Sequence, residues 1–144
     1  MHYHGLAMLA ITCLSACAST PPPTADEISA AYYGAQPSEQ EVLDGIRNWM
    51  TDPSFGLENP ASLDIRNLQL HKTYIRTSVG NIFGYLACFE WDARKAKGGY
   101  GGYKTAGYLI RDGQAWAFDH DDHRSVAATY RCSELRDAAA PATG

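Results

Sequence analysis

The segment Phe83-Gly-Tyr-Leu-Ala-Cys-Phe-Glu-Trp-Asp92 carries the clearest structural pattern in this chain. It has an apolar side chain at every second position, and this set comprises Phe83, Tyr85, Ala87, Phe89 and Trp91. A period of two with several aromatic residues is typical of a half-buried β-strand. We therefore predict a strand over residues 83–92, with one face on a hydrophobic core.

Other strand-like segments lie on both sides of this one. Residues 63–77 are rich in Ile, Leu, Tyr and Thr, and their apolar parity changes between Ile65 and Leu68. Such a change indicates a β-bulge or a change of the buried face. Residues 103–110 and 114–118 flank an Asp-Gly dipeptide, which is typical of a hairpin turn. About four antiparallel strands are therefore predicted.

Helices are predicted before and after the strands. Ser38 and Glu41 have the spacing of a capping box, and Asp52-Pro53 ends the helical segment that follows. The apolar residues of that segment share one stripe, namely Val42, Leu43, Ile46, Trp49 and Met50. Residues 125–135 form a shorter candidate helix. The apolar residues near one face of this second helix are Val126, Tyr130 and Leu135.

This order of elements predicts an α+β fold. It consists of an N-terminal amphipathic helix packed on a curved antiparallel sheet of about four strands, with or without a short C-terminal helix. The 144 residues, of which 45% are hydrophobic and 19% charged, suit one globular domain. The 12 Lys and Arg residues against 16 Asp and Glu give a net charge of −4, which argues against a nucleic-acid partner.

The N-terminus has the features of an export signal. Residues 5–14 are apolar and have the length of a signal-peptide core. Leu14-Ser15-Ala16-Cys17 resembles a bacterial lipobox, whose Cys carries diacylglycerol, with palmitate among the expected acyl chains. We therefore predict a lipoprotein signal peptide over residues 1–16 and lipidation of Cys17. The alternatives are lipidation of Cys13, a different start site (since no Lys or Arg precedes the apolar core), and a buried apolar helix.

The lipobox predicts the localisation, whereas the Pro-rich composition and the capping box at Ser38 predict the domain boundaries. Ala18 after the Cys resembles Gram-negative lipoproteins of the outer membrane, so we predict lipid anchoring on its periplasmic face. Two or more acyl chains would hold the protein there stably. Residues 17–37 are predicted to be the lipidated Cys and a Pro-rich tether, residues 38–137 a single domain, and residues 138–144 a flexible tail.

Two further cysteines lie within the predicted domain. In an oxidising periplasm, Cys88 and Cys132 are expected to form a disulfide. The alternative is a reactive thiol at one of them, although no His next to either Cys would lower its pKa.

A loop rich in glycine and tyrosine follows the central strand, and we call residues 93–103 the glycine–tyrosine loop. Its candidate binding residues are Arg94, Lys95, Lys97, Gly99, Tyr100, Gly102 and Tyr103. The glycine spacing does not form G-x-G-x-x-G, and Tyr103 interrupts a P-loop pattern before Lys104, which excludes both nucleotide-binding motifs. Basic and aromatic residues together can bind an anionic glycan or a single-stranded nucleic acid. The favoured alternative is a glycine-rich strand connection whose basic side chains are solvated, because the net charge of the chain is negative.

This loop and the strand before it resemble a motif of small, uncharacterised exported proteins and lipoproteins of proteobacteria. In that group, a Cys-Gly-x-Val-Asn-x-Lys-Asn strand precedes Tyr/Phe-Gly-Gly-Tyr-x-Gly-Phe. The positions that match here are Cys88, Glu90, Ala93, Gly98, Gly99, Tyr100, Gly102 and the aromatic Tyr103. The departures are Phe89, Trp91, Asp92, Arg94 and Lys95. The resemblance implies export and supports the predicted fold, and it implies no activity.

A run of acidic and histidine residues is a weak candidate metal site. Asp119, His120 and His123 belong to five consecutive potential ligands, which His71 could join from another strand. The favoured alternative is a polar turn that caps the next helix. We accordingly predict no metal ion or other cofactor.

A pair of carboxylates is the other candidate for catalysis. Glu90 and Asp92 lie on one face of the central strand, about 6.5–7 Å apart along it. This separation fits an inverting glycosidase, and it is equally the pattern of an exposed strand face. Three tryptophans, Trp49, Trp91 and Trp116, are expected to pack in the core unless one of them is exposed as a binding platform.

The leading functional hypothesis is a lipid-anchored, non-enzymatic binding or structural module with an envelope protein or glycan as its partner. The first alternative is an inhibitor of a lytic enzyme that acts through the glycine–tyrosine loop. The second alternative is an enzyme that depends on a metal ion or on the two carboxylates.

Overall fold

The computed structural model describes residues 20–116 and 124–140. The helices are α1 (Ala25–Ala30), α2 (Glu39–Thr51) and α3 (Arg124–Ala139), with short 3₁₀ turns at Pro53–Phe55 and Pro60–Ser62. The strands are β1 (Asp64–Thr77), β2 (Gly80–Asp92), β3 (Lys104–Arg111) and β4 (Gln114–Ala115). All neighbouring strands are antiparallel and follow the order β1-β2-β3-β4, which confirms an α+β fold with a four-stranded sheet.

The predicted capping box begins α2. The Ser38 side chain accepts a hydrogen bond from the Glu41 amide at 3.2 Å, and the Ser38 amide donates to the Glu41 carboxylate at 2.7 Å. Two of the unpaired amides at the start of the helix region are thereby satisfied. The helix ends before Pro53, whose ring disfavours helical geometry at Asp52.

The change of apolar parity in β1 corresponds to a β-bulge. The register of β1 on β2 shifts between Arg66 and Gln69, and Asn67 has a left-handed backbone with φ of 53°. The extra residue brings Ile65 and Leu68 onto the same side of the sheet, where both pack against one core cluster.

The sheet carries a helix on each face. One core cluster joins α2 to alternate residues of the strands, and it comprises Val42, Ile46, Met50, Ala87, Phe89, Ala106, Tyr108 and Ile110. The second cluster joins α3 to the intervening residues, and it comprises Ile75, Leu86, Leu109, Ala128 and Cys132. Since Leu86 and Ala87 are consecutive in β2, these clusters occupy opposite faces.

Helix α3 differs from the short helix that the sequence predicts. It has 16 residues, and its buried positions are Ala128 and Cys132, whereas Val126 and Tyr130 are exposed. A disulfide joins Cys132 to Cys88 of β2, which is the pairing expected for an oxidising compartment. The helix includes residues 138 and 139, which the sequence assigns to a flexible tail.

The described part of the predicted tether packs along the sheet. Thr20 donates a hydrogen bond to the Thr77 carbonyl at 2.5 Å, and Pro23 is buried. The buried ring of Tyr33 meets Phe83 edge to face, with the ring centres 5.6 Å apart. The ordered domain therefore extends before residue 38, because these contacts hold residues 20–36 to the strands. The predicted signal peptide and the lipidation site lie outside the described residues.

Gly107 allows α3 to approach β3 closely, and this contact generates a prediction. A Cβ at Gly107 would lie 2.5 Å from the carbonyl carbon and oxygen of Ala128, which are backbone atoms. We expect Gly107→Ala to lower the free energy of unfolding by about 1–3 kcal/mol, as other overpacked sites do, measured by urea denaturation.

Gly101→Ala is the matched control for this substitution. The nearest atoms to a Cβ at Gly101 are the terminal carbon and nitrogen of the Lys95 side chain, which can move away. Equal destabilisation by the two variants would contradict the close packing of α3 on β3.

Candidate functional site

Asp92 holds the base of the glycine–tyrosine loop. The residue is 6% exposed, and its carboxylate accepts hydrogen bonds from three backbone amides. The donors are Ala93 at 2.8 Å, Gly101 at 3.3 Å and Gly102 at 3.0 Å. Because the donors come from both ends of the loop, one buried carboxylate fixes its entrance and its exit together.

The loop itself folds back as a tight hairpin. Arg94 and Tyr100 form an antiparallel bridge, and the Lys95 amide donates to the Gly99 carbonyl at 3.0 Å. Gly98 and Gly99 turn the chain with φ of 81° and 78°, a conformation that side chains strongly disfavour. The glycines of the motif therefore shape the backbone, and the side chains around them are available for contacts.

A neighbouring loop supports the outer side of this hairpin. The Arg94 amide donates to the Ser62 hydroxyl at 2.7 Å, and the Ala96 amide donates to the Glu58 carboxylate at 2.5 Å. All residues from 94 to 104 are nevertheless exposed. The loop is thus held in one shape while its side chains face solvent, which lowers the entropic cost of binding a partner.

The candidate binding residues of the loop divide into two groups. Arg94, Lys95, Lys97 and the half-exposed Tyr100 face solvent, and the Arg94 guanidinium lies 5.6 Å from the Tyr100 ring. Tyr103 is engaged within the domain, because its hydroxyl donates to the Asp64 carboxylate. That hydrogen bond raises the pKa of Tyr103, and the Arg66 guanidinium covers its ring at 3.3 Å. Gly99 and Gly102 contribute backbone geometry.

Glu90 and Asp92 are both occupied by structural contacts. Glu90 accepts hydrogen bonds from Asn67 Nδ2 at 2.7 Å and Arg66 Nε at 2.9 Å, and these donors hold the pKa of Glu90 below its usual value. A general acid at a glycosidic bond needs a raised pKa instead. Glu90 is therefore unsuited to act as the general acid of the carboxylate-pair hypothesis. The Asp92 carboxylate is already occupied by the backbone amides of the glycine–tyrosine loop.

Most of the predicted metal-ligand cluster falls outside the part of the chain that the structure describes. Asp119, His120 and His123 lie outside the described residues, and His71 is on β1. Within the described ranges, no group of three or more His, Cys, Asp or Glu side chains could hold a metal ion. The metal hypothesis stays a prediction.

An aromatic groove lies beside the loop, and the sequence does not predict it. Its volume is about 510 Å³. It is lined by Trp49, Phe55, Trp91, Lys104, Thr105, Ala106, Val126, Thr129, Tyr130 and Ser133. These residues come from α2, the turn after it, the loop-proximal ends of β2 and β3, and α3.

Aromatic rings form the apolar wall of this groove. The Phe55 ring meets Trp49 edge to face at 5.1 Å between centres and meets Trp91 at 5.6 Å. Trp49 and Trp91 thus pack against the core, as expected, and also line a cavity. Lys104 is the one charged side chain among the described lining residues, and its Nζ lies 5.1 Å from the Trp91 ring centre.

The opposite wall combines α3 with the outer edge of β3. The Gly107 amide donates to the Thr129 hydroxyl at 3.2 Å, and the Leu109 carbonyl accepts from the Trp116 amide at 2.9 Å. In a β-strand, the amide and carbonyl groups of every second residue point to the same side. Since those of Gly107 and Leu109 point away from β2, those of Thr105 also point away from β2, toward the groove. Hydroxyl and backbone groups therefore line this wall.

The sequence contains one signal for the groove that is easily misread. Val126, Thr129, Tyr130 and Ser133 have the i, i+3, i+4, i+7 spacing of one helix face. From the sequence, the apolar Val126 and Tyr130 are predicted to face the core. In the structure both side chains are exposed and line the groove instead. The approach of α3 to β3 through Gly107 turns the other face inward.

Comparisons with known proteins give no further indication of the site's role. No protein-family model, curated protein or solved structure matches this chain significantly. In the part of the chain that the structure describes, no helix has the length and apolarity needed to cross a membrane.

The lowered pKa of Glu90 generates a prediction about pH. A carboxylate whose pKa is lower in the folded state stabilises the fold above its unfolded pKa and loses that effect as the pH falls through the folded value. Glu90→Gln should therefore lower stability at neutral pH, and its difference from wild type should shrink below the usual pKa of 4.5. Urea unfolding at neutral pH and at about pH 3 measures this change.

Asn67→Gly tests the cause of the shift. Glycine accepts the left-handed backbone of residue 67 and removes the amide that donates to Glu90. We expect a higher Glu90 titration midpoint in this variant by NMR. An unchanged midpoint would show that Asn67 does not lower the pKa.

Proposed function

We propose that this protein is a lipid-anchored envelope protein that acts as a non-enzymatic binding module, with the aromatic groove as its ligand site. The observation that carries the proposal is the composition of the groove. Aromatic and aliphatic side chains form most of its lining, and Lys104 supplies the one charge among the described lining residues. Ligand sites commonly combine an apolar cavity with a few polar groups that orient the ligand.

The proposed ligand is an amphipathic anion. An alkyl chain or another apolar group would lie against Trp49, Phe55 and Trp91. A carboxylate or phosphate group would meet the Lys104 ammonium, which already stands beside the apolar wall. A cationic ligand would meet no carboxylate among the described lining residues, and the Lys104 ammonium would repel it.

The finer features of the predicted fold belong to the same proposal. The amphipathic helix α2 on a curved sheet supplies Trp49 to one wall, and α3 supplies the other wall. The lipobox at Leu14–Cys17 supports an acyl anchor, and Ala18 supports the periplasmic face of the outer membrane. A protein with this localisation would be exposed to lipids, acylated molecules and envelope proteins.

The groove proposal is tested by binding of a fluorescent amphipathic anion, dansyl-undecanoate. The protein starts at residue 18, so that no acyl chain of its own competes for the site. We expect saturable binding that dodecanoate displaces and dodecyltrimethylammonium displaces poorly. Lys104→Gln should weaken binding about fivefold, because a partly exposed charge pair contributes up to about 1 kcal/mol.

Lys97→Gln is the matched control, because it removes an exposed cation of the loop that does not line the groove. Its affinity should equal that of wild type. Equal affinities for Lys104→Gln and Lys97→Gln, or equal displacement by the cationic amphiphile, would disprove the groove as an anion site.

A second candidate function is inhibition of a lytic enzyme, and the rigid loop favours it. Asp92 and the supporting contacts at Ser62 and Glu58 hold an exposed Tyr100 in a fixed hairpin. Inhibitory loops gain affinity from being held in their bound shape before association. Under this proposal, Tyr100 enters the cleft of the enzyme and the adjacent cations meet its acidic groups.

Muramidase-driven lysis of cell walls, followed by turbidity, tests this candidate. The wild-type protein should slow lysis, and Tyr100→Ala should abolish most of the effect. Asp92→Asn should also weaken it, because an amide cannot accept three hydrogen bonds as the carboxylate does. Tyr32→Ala, at an exposed tyrosine near the β3–β4 turn, should act like wild type. A wild-type protein without effect would exclude this muramidase as the target.

A further inference from the structure

The N-terminal segment enters the fold at one end of the sheet. Thr20 donates to the carbonyl of Thr77 at 2.5 Å, and Asn81 Nδ2 donates to the carbonyl of Pro21 at 3.2 Å. Thr77 ends β1 and Asn81 follows the first residue of β2, so both contacts lie at the β1–β2 turn. We call residues 77–80 the hairpin tip.

These contacts leave only a short connection to the predicted lipidation site. Cys17 precedes Thr20 by three residues, which span about 10 Å even when fully extended. The buried Pro23 and the capped start of α1 hold the following residues in place. If Cys17 carries acyl chains, Thr20 must therefore lie within about 10 Å of the anchored residue, and Thr20 contacts the hairpin tip at Thr77.

We propose that the hairpin tip is a lipid-facing surface, and that the domain stands on the bilayer with its glycine–tyrosine loop pointing away. This inference rests on the lipid anchor of the proposed function. The hairpin tip then faces the bilayer surface. The opposite end of the sheet faces away from the membrane that anchors the protein and is free to contact another partner.

The chemistry of the tip fits a lipid surface. Val79 is 89% exposed, and no residue from Thr77 to Asn81 carries a charge. An apolar side chain among hydroxyl groups can enter the headgroup region without burying an ion. The nearest preceding charge is that of Arg76, which is paired with Glu134 of α3 at 3.6 Å.

The opposite end of the sheet has a different character. Strand β2 runs from Gly80 at the tip to Asp92 at the base of the loop, a distance of about 40 Å for an extended strand. The exposed cations Arg94, Lys95 and Lys97 lie beyond it. An anionic bilayer could attract these cations only if the domain lay flat, because the anchor holds the other end of the strand.

Site-directed spin labelling of the lipidated mature protein tests the orientation. A nitroxide is attached at Val79→Cys or, as the matched control, at Tyr100→Cys, two exposed positions at opposite ends of β2. The native disulfide leaves the introduced Cys as the reactive thiol of the domain. The acylated protein is incorporated into phosphatidylcholine vesicles, with and without phosphatidylglycerol. Relaxation by oxygen reports lipid contact, and relaxation by a water-soluble nickel chelate reports water contact.

For each label we compare the ratio of oxygen-induced relaxation to nickel-induced relaxation. We expect this ratio to be severalfold higher at residue 79 than at residue 100, in both kinds of vesicle. Nickel-accessible labels at both positions, or lipid contact at residue 100, would overturn the orientation alone. Mass spectrometry of the same sample distinguishes this failure from that of the proposed function. A mature protein without diacylglycerol on Cys17 would overturn both.

Discussion

Burial of the central strand on both faces is the constraint on which the rest of the structure depends. Leu86 and Ala87 are consecutive and both fully buried, so each face of β2 needs a cover. Helix α2 covers one face with Val42, Ile46 and Met50. Helix α3 covers the other, and the disulfide to Cys88 fixes it there. The groove lies at the outer edge of β3, where residues from both helices line it.

The features that the sequence predicts depend on local contacts. The capping box at Ser38 and the bulge near Asn67 need only neighbouring residues or one strand pair, and their patterns are visible in the chain. The alternation around Phe89 predicts a strand with one buried face. Its other face contains Leu86 and Cys88, and only the packing of α3 shows that this face is also covered.

The features that the sequence does not predict depend on contacts between distant segments. The Pro-rich start of the chain has the composition of a tether, yet Tyr33 finds a partner in Phe83 and becomes buried. Asp92 has the spacing of a catalytic carboxylate, and its role depends on amides about ten residues later. Helix α3 needs Gly107 opposite Ala128, a fit that no periodicity of the helix reveals.

The proposed orientation also limits how a ligand reaches the groove. Lys104 pairs with Trp91, one residue before the end of β2 that carries the glycine–tyrosine loop. The groove therefore lies near the end of the sheet that is remote from the hairpin tip. A protein that took amphipathic anions from its own bilayer would place such a site near the anchor. Under the proposed anchoring, a groove about 40 Å away along the strand would instead receive a ligand from the periplasm or from a second envelope component.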